Sequence, residues 1–501
     1  MQLFDFQLDA YDALREAVAE GHRSIILQLP TGGGKTVVAA HLILNARQRD
    51  HRCLFVAHRV ELIKQPYRKL IEHGVPEEDL GMRVGDEVKR KRLEAPVQIA
   101  CINSLEPGDF AGFRLIIVDE CHRACSRSYL EALAERDPNC IVIGLTATPE
   151  RLDRRGLAEA GFTKIVVGAL PSELVALGRI MEPTIWTVPD ALLPNLDEVG
   201  IQGGDFEPKG LAKAVEKREL VGSIVDHYAK HGNERRAVAF ATSISHSHAI
   251  AEMFNNAGIP ARHIDGNSGA KLRETTLEDV KHGRLRVVSQ CNLWIEGVDE
   301  PSLRCAILAK PTASVTVFLQ SVGRVVRYFE GQESTVLDHA GNALRHGHPS
   351  EDRVYSLTGK SRPVNAASAM KRCPVCMLLV RISEQECPAC GTPFEAGSMR
   401  RELRYTPQQL RLLDPEGYKQ YFWNTLWNKA YTEGHLAGWV HAMYRTRFRE
   451  APGVWPLPPR PFVDDSPEAR KAKRAHLQMI ARVQGKSGAW VEQKMDRIFS
   501  A

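Results

Sequence analysis

The sequence predicts an α/β fold: two parallel sheets in series, each flanked by helices, then a small cysteine module and a mainly helical C-terminal region. Three observations predict it. Short, almost wholly apolar runs alternate with longer helix-like stretches over most of the first 360 residues, as strands buried on both faces of a parallel sheet require. The alternation pauses in a Pro-, Gly- and acid-rich stretch near 183–208, resumes, and stops after Tyr355. Four of the 11 Cys then fall as Cys373-x-x-Cys376 and Cys387-x-x-Cys390.

The first sheet is assigned the runs at 24–29, 53–57, 97–101, 115–118 and 141–145, and the second those at 236–240, 285–289, 305–308 and 334–337. With 501 residues, 43% hydrophobic and 25% charged, the chain has ordinary globular composition, which excludes a disordered or fibrous protein. No apolar run approaches the ~18 residues of a membrane span, and the first residues lack a secretory profile. A cytoplasmic protein that touches no membrane is the expectation. Cys53, Cys101, Cys121, Cys125, Cys140, Cys291 and Cys305 lie in apolar surroundings and read as reduced, buried thiols.

The net charge of +5 is unevenly spread. Residues 401–501 hold 17 of the 66 basic and 10 of the 61 acidic residues, a local +7 that leaves the first 400 at −2. Five of the seven Trp lie in the same segment. Basic residues among large aromatics suit a polyanion with stackable bases; a helical domain with an aromatic core and a solvated basic face accounts for them equally well. Trp423 and Trp427, four apart, favour the packed helix face.

The chemistry concentrates in two places. Leu29-Pro-Thr31-Gly32-Gly33-Gly34-Lys35-Thr36 follows a strand-like run and opens a helix-like one, the context of a phosphate loop. The glycines let backbone N–H groups wrap a phosphate at the positive end of the new helix. Lys35 would reach the β- and γ-phosphates and Thr36 would ligate Mg²⁺. The strict motif begins with Gly, where this chain has Leu29. The second place is the strand 115–118, which runs straight into Asp119-Glu120-Cys121-His122. A carboxylate at the C-terminal end of a neighbouring strand points at the nucleotide: Asp119 would hold Mg²⁺ and Glu120 would polarise the attacking water. An acid pair merely capping a helix fits four preceding hydrophobics poorly. A nucleoside triphosphatase is the expectation.

Pro-Thr-Gly-x-Gly-Lys-Thr followed by Asp-Glu-x-His resembles the superfamily-two helicases and translocases of the DEAD/DEAH-box type. Further stretches agree in the right order over residues 4–327: Phe4-Asp-Phe-Gln7, Val56–Gln65, Cys101–Leu105, Leu145-Thr-Ala-Thr148-Pro, Phe240-Ala-Thr242-Ser, Glu296-Gly297-Val-Asp299 and Gln320–Arg327. The resemblance implies two RecA-like domains, 1–190 and 221–362, joined by a connector at 191–220 and followed by a zinc-binding module at 366–400 and the tail at 401–501. It implies that Gln7 reads adenine, and that Gly297 and Asp299 belong to the ATP site. His58, Arg59, Gln65, Asn103, Ser104 and Thr242 would contact nucleic acid. Arg324 and Arg327 would enter the ATP site from the second sheet, with Gln320 and His122 hydrogen-bonding across the cleft. Alone, the two arginines could equally be a surface pair on a helix.

Within that superfamily the chain is most similar to RadD-like bacterial DNA-repair helicases and related phage-borne proteins, through Ala309–Ser314, Leu337–Asn342, Gly438-Trp439 and Trp455-Pro456. It differs in having Phe4 three residues before Gln7, where Arg is usual, and in a shorter cysteine region. The resemblance implies a cytoplasmic, nucleoid-associated enzyme of bacterial or phage type.

Cys373, Cys376, Cys387 and Cys390 read as two knuckles of a four-thiolate Zn²⁺ site, since a redox pair needs only one C-x-x-C. The module could bind DNA, bind a repair partner or knit the tail to the motor. The functions left open are an ATP-dependent helicase or translocase on single-stranded or branched DNA, the same motor on RNA, and an ATP-switched DNA-binding scaffold.

Overall fold

The structure, a computed structural model, describes residues 3–58, 63–84, 88–91, 94–123, 133, 135–151, 156–215, 224–232, 234–293, 300–329, 331–358, 362–363, 370–394, 415–433, 435, 437–448, 451–452 and 487–499, with single positions between 467 and 478. It divides into two compact units, Met1–Arg404 and Tyr405–Ala501.

The first lobe of the larger unit is an eight-stranded sheet. Its strands are β1 (Ser24–Gln28), β2 (Cys53–Ala57), β3 (Leu80–Val84), β4 (Val88–Lys91), β5 (Val97–Cys101), β6 (Leu115–Asp119), β7 (Ile141–Thr146) and β8 (Lys164–Val167), in the order β4-β3-β5-β2-β6-β7-β1-β8. Only β4 runs antiparallel to its neighbour. Successive side chains feed opposite faces. Ile25, Leu27, Phe55 and Ile117 join one core with Leu14 of helix α1 (Asp5–Ala19) and Ile43 of helix α2 (Lys35–Arg47). Ile26, Leu54, Val56 and Ile116 join another with Phe110, Phe113 and Phe162. Both faces are covered, so the strands read as continuous apolar runs rather than alternating ones.

The second lobe is an all-parallel six-stranded sheet. It uses β9 (Thr184–Thr187), β12 (Arg236–Phe240), β13 (Ala261–Ile264), β14 (Val287–Gln290), β15 (Leu303–Leu308) and β16 (Thr335–Asp338), ordered β13-β14-β12-β15-β16-β9. The stretch 183–208 therefore begins with a strand of the second sheet, although four residues rich in Thr carried no pattern distinct from a loop. It continues as the hairpin β10 (Ile201–Gln202) and β11 (Asp205–Phe206), where the Asp205 carboxylate accepts from Thr312 Oγ1 at 2.9 Å and Ala313 N at 2.6 Å.

After β16 the chain crosses back. Residues 348–358, including β17 (Arg353–Val354), which pairs with β18 (Arg362–Pro363), lie against the first lobe: Asp352 meets Ser172, and Leu357 O accepts from Ala158 N at 3.1 Å. The cysteine module is a hairpin of β19 (Met370–Arg372) and β20 (Leu379–Arg381). It is attached to the second lobe, where Leu378 bridges Trp186 of β9 and Thr187 N donates to Met377 O at 3.0 Å. Arg372–Asp190 (2.5 Å) and Arg381–Glu182 (2.8 Å) pin it on either side of β9.

The smaller unit is helical, with helices Pro415–Glu433, Ala437–Phe448 and Gly488–Phe499. Trp423, Leu426, Ala430, Val440 and Tyr444 form its buried core, so the Trp stripe is packing, as its spacing favoured. Among the described residues no helix is long and apolar enough to cross a membrane.

Candidate active site

The site is built where strands of the first sheet end. β1 and β6 flank β7, with Gln28 opposite Thr146 and Asp119 opposite Leu145. The phosphate loop and the acids therefore leave the sheet at nearly the same level. Leu29 N still bonds Thr146 O (3.1 Å); the loop then turns through Gly32 (φ 92°) and Gly34 (φ 80°), left-handed backbone that a side chain would strain. At Gly34 a Cβ would also collide with Gln7 Nε2. Gln7 donates from Nε2 to Gly33 O and accepts at Oε1 from Phe4 N, both at 3.1 Å, so the start of α1 is tied to the loop. Lys35 Nζ lies 3.3 Å from Leu29 O, at the other end of the loop, and Thr36 follows on the first turn of α2.

Burial is the main reason the Asp119 carboxyl is pushed up to about 7, the neighbouring Glu120 charge adding to it while Lys35 and His58 oppose it. A divalent cation or a γ-phosphate network with cations is the environment in which such a group ionises. Glu120 is held at φ 49°, an uncommon value for a side-chain-bearing residue, and its N–H donates to Asp119 Oδ1 at 3.1 Å. His122 Nδ1 lies 2.9 Å from Thr146 Oγ1 and 3.4 Å from Glu120 Oε2. Thr146 Oγ1 in turn donates to Thr148 O and accepts from Thr148 N. The acids are thus wired to the Thr146-Ala-Thr148 turn, and Gln28 Nε2 ties that turn to β1 through Ala147 O (3.2 Å).

The second lobe reaches this site through helix Val315–Val322 and the residues after it. A Cβ at Gly323 would come within 2.9 Å of Cβ and Oγ1 of Thr31, so backbone of one lobe touches the phosphate loop of the other. Ile180, whose Cγ2 would meet a Cβ on Gly32 at 2.8 Å, bridges Arg327 antiparallel, and Met181 N donates to Val326 O at 2.7 Å. Arg324 is buried, at 8% exposure. The backbone of the segment that carries Arg324 and Arg327 therefore passes beside the phosphate loop. Gln320 is buried with both amide atoms unpartnered, and His122 engages Thr146 and Glu120 instead, so the implied His122–Gln320 hydrogen bond is not made.

Of the expected nucleic-acid residues, His58 and the turn after β5 leave adjacent strand ends of the first sheet, Ala57 pairing with Cys101, and Thr242 lies on the second. Asn103 is exposed and Ser104 half-buried on the turn Ile102–Ser104 that follows β5. Thr242 follows β12, its Oγ1 2.9 Å from His246 Nδ1. His58 follows β2, and its ring nitrogens are buried. Arg59, Gly297 and Asp299 lie outside the described residues, as do Cys125 and the side chain of Gln65. Sequence reasoning missed Arg179, whose guanidinium sits 3.6 Å over the half-exposed ring of Phe4, and the ribbon Ile180–Met181. Nothing in the sequence marked Arg179; the Phe at position 4, where Arg is usual, was the available hint that a cation comes from elsewhere.

The four cysteines of the module converge, their sulfurs all within 4.8 Å of one another. Cys373–Cys390 and Cys376–Cys387 are 3.6 and 3.5 Å apart, against edges of about 3.8 Å for a tetrahedron of ~2.3 Å Zn–S bonds. Both knuckles close alike: Met377 N bonds Cys373 O and Gly391 N bonds Cys387 O, with Met377 and Gly391 both at φ 67°. The set fits Zn²⁺.

A phosphate loop and an acidic strand end on one parallel sheet, with an arginine segment brought in by a second, define a two-lobed nucleoside-triphosphatase architecture. Residues 1–151 match the family described as Type III restriction enzyme, res subunit, and residues 216–329 the Helicase conserved C-terminal domain. The chain is 29% identical to the putative mitochondrial ATP-dependent helicase irc3 of Schizosaccharomyces pombe over 72% of this chain and 62% of that protein. It is 25% identical to the DNA 3'-5' translocase XPB2 of Sulfurisphaera tokodaii over 65% and 79%. It thus spans about three-fifths of the yeast protein's length. A fragment of a putative HsdR subunit of a type I restriction enzyme from Vibrio vulnificus shares the fold, with a TM-score of 0.51 and 19% identity over 71% of this chain and 69% of that one. The chain belongs to the superfamily-two helicases.

Proposed function

We propose that the protein is an ATP-driven translocase or helicase acting on DNA. The observation that carries this is the contact of Gly323 with Thr31, flanked by the Ile180–Arg327 bridge: the backbone of the segment that carries Arg324 and Arg327 passes against the phosphate loop of the other lobe. In this reading the backbone N–H groups of residues 32–36 and Lys35 bind the triphosphate, and Gln7 fixes the loop that receives it. Thr36 and Asp119 would hold Mg²⁺, which screens phosphate charge when bound. Glu120, held in its unusual backbone conformation and flanked by His122, orients water against the γ-phosphate. Arg324 and Arg327 stabilise the charge that spreads over the equatorial oxygens. Hydrolysis then requires a closed cleft, and phosphate release lets it relax. With each lobe gripping the same strand, that cycle becomes stepping. The turn at Asn103 and the end of β12 at Thr242 are the grips on this account.

DNA is favoured over RNA because the translocase relative carries DNA in its description, and a role in repair or recombination accords with that track. Zn²⁺, held by Cys373, Cys376, Cys387 and Cys390, would cross-link the two knuckles that are pinned to β9. ATP turnover measured with single-stranded DNA, forked DNA and RNA at matched salt tests the proposal. Strong stimulation by DNA, abolished in Lys35→Ala, is expected. Turnover indifferent to every nucleic acid would defeat it, and stimulation by RNA alone would move the motor to the other track.

A further inference from the structure

Residues 348–358 carry none of the reacting groups or grips named for the motor, yet they touch both lobes beside the catalytic cleft. On the second lobe, buried Arg353 donates from a terminal guanidinium nitrogen to His346 O at 2.7 Å, and His348 Nε2 lies 3.3 Å from Pro183 O at the start of β9. On the first lobe, Asp352 accepts twice from Ser172, Oδ1 from the backbone N–H at 3.0 Å and Oδ2 from the hydroxyl at 2.7 Å. Five residues on, Leu357 packs against the core holding Leu157, Ala160 and Phe162. Its carbonyl takes the Ala158 N–H and fills the space where Gly156 would carry a Cβ. Between these anchors Pro349, Ser350, Glu351 and Tyr355 line the same cleft as Thr31, Thr148 and Gly323. A second tie runs alongside, Thr316 Oγ1 donating to Glu150 O at 3.4 Å.

We propose that residues 348–358 form an interlobe clasp, with Asp352 and Leu357 as positioning residues that hold the arginine segment against the phosphate loop before nucleic acid binds. The inference rests on the motor reading and specifies how its cleft is biased. All the contacts named between Asp352, Leu357 and the first lobe would be lost if the lobes swung apart. The clasp therefore raises the fraction of molecules in the closed form. A DNA strand that binds closed lobes then has less of the closing equilibrium to shift, and its apparent affinity rises in proportion. Asp352 makes no contact with the proposed reacting groups, so the chemical step in the closed form does not depend on it.

The test uses the full chain with Asp352→Ala, Asp352→Asn, Ser172→Ala and the Ser172→Ala/Asp352→Ala pair. Loss of two charge-assisted hydrogen bonds should raise the DNA concentration for half-maximal ATP turnover by about tenfold in Asp352→Ala. Turnover at saturating DNA should stay within about twofold of wild type, because DNA can close the cleft unaided. Asp352→Asn, which keeps one acceptor for the Ser172 N–H, should shift less, and the double variant should match Asp352→Ala alone. A lowered melting temperature with an unshifted DNA requirement would make Asp352 merely structural and overturn the clasp. Solution scattering without nucleotide or DNA provides a readout independent of turnover. A larger radius of gyration in Asp352→Ala supports the clasp, and identical curves overturn it even if the wild type proves not to be DNA-stimulated. A wild type lacking stimulation would instead defeat the motor reading.

Discussion

The two lobes of the larger unit are the same kind of object put to different uses. Each is a twisted parallel sheet with apolar strands buried on both faces. In the first, β1 opens into a glycine loop and β6 into two carboxylates. In the second, β12 ends at Thr242 and Ser243, whose hydroxyl caps helix Ile244–Asn256 by accepting from His246 N at 3.0 Å. The helix start that binds phosphate in one lobe is closed by its own side chain in the other. In the proposed motor the second lobe contributes charge from Arg324 and Arg327 instead. A strand end is therefore only a platform; the residue that follows it decides between receiving a ligand and satisfying the helix.

If that division holds, substitutions should separate the lobes. Glu120→Gln removes the group that orients water and should lower ATP turnover by about 10³-fold while nucleotide binding persists, read by turnover beside fluorescent-nucleotide titration. Next in size is the metal. Chelation of Zn²⁺, or Cys376→Ser, should unfold the module and strip Leu378 from Trp186, lowering the melting temperature of the larger unit by several degrees, about 1–3 kcal/mol at the second lobe. The first lobe's nucleotide binding should survive.

The lobes should also part in acid. Burial lowers His246, His348 and His227 to about 4, with His231 beside His227 adding to it, and holds His339 well below its usual value. Each is neutral in the fold near pH 5 and protonated once unfolded, so the unfolded state binds more protons. The stability they contribute is complete above pH ~6.5 and is lost as pH falls from there towards 4. Hydrogen exchange against pH should show the second sheet opening first, and His246→Gln should flatten the dependence. The smallest effect is expected at the Arg179–Phe4 contact, three residues before Gln7. Arg179→Ala removes the cation over Phe4 and should raise the KM for ATP by roughly 2- to 5-fold, the value of an exposed cation–π contact, with kcat unchanged.

The strands at 24, 53, 97, 115, 141, 236 and 305 were legible because burial on both faces leaves a short, continuous run of hydrophobics. The phosphate loop and Asp119–Glu120 were legible because their chemistry requires particular residues in immediate succession. β9 was not, since four Thr-rich residues on a sheet edge look like the loop around them. Nor were Asp352–Ser172 or Arg179–Phe4, which join residues 180 and 175 positions apart through side chains common on any surface. The two Cys-x-x-Cys pairs predicted the convergence of their sulfurs, whereas the attachment of the module to β9 depends on backbone pairing that carries no residue code.

A hydrolytic site shared between the lobes, with the loop on one and the guanidinium groups on the other, can be put to the proof by ATP turnover at saturating DNA in Arg324→Ala and Arg327→Ala, measured beside their affinity for nucleotide. Turnover should fall by about 10³-fold or more in at least one of them, with nucleotide affinity changed by less than about tenfold. Near-normal turnover in both variants would mean that the first lobe hydrolyses ATP unaided and that the site is not shared.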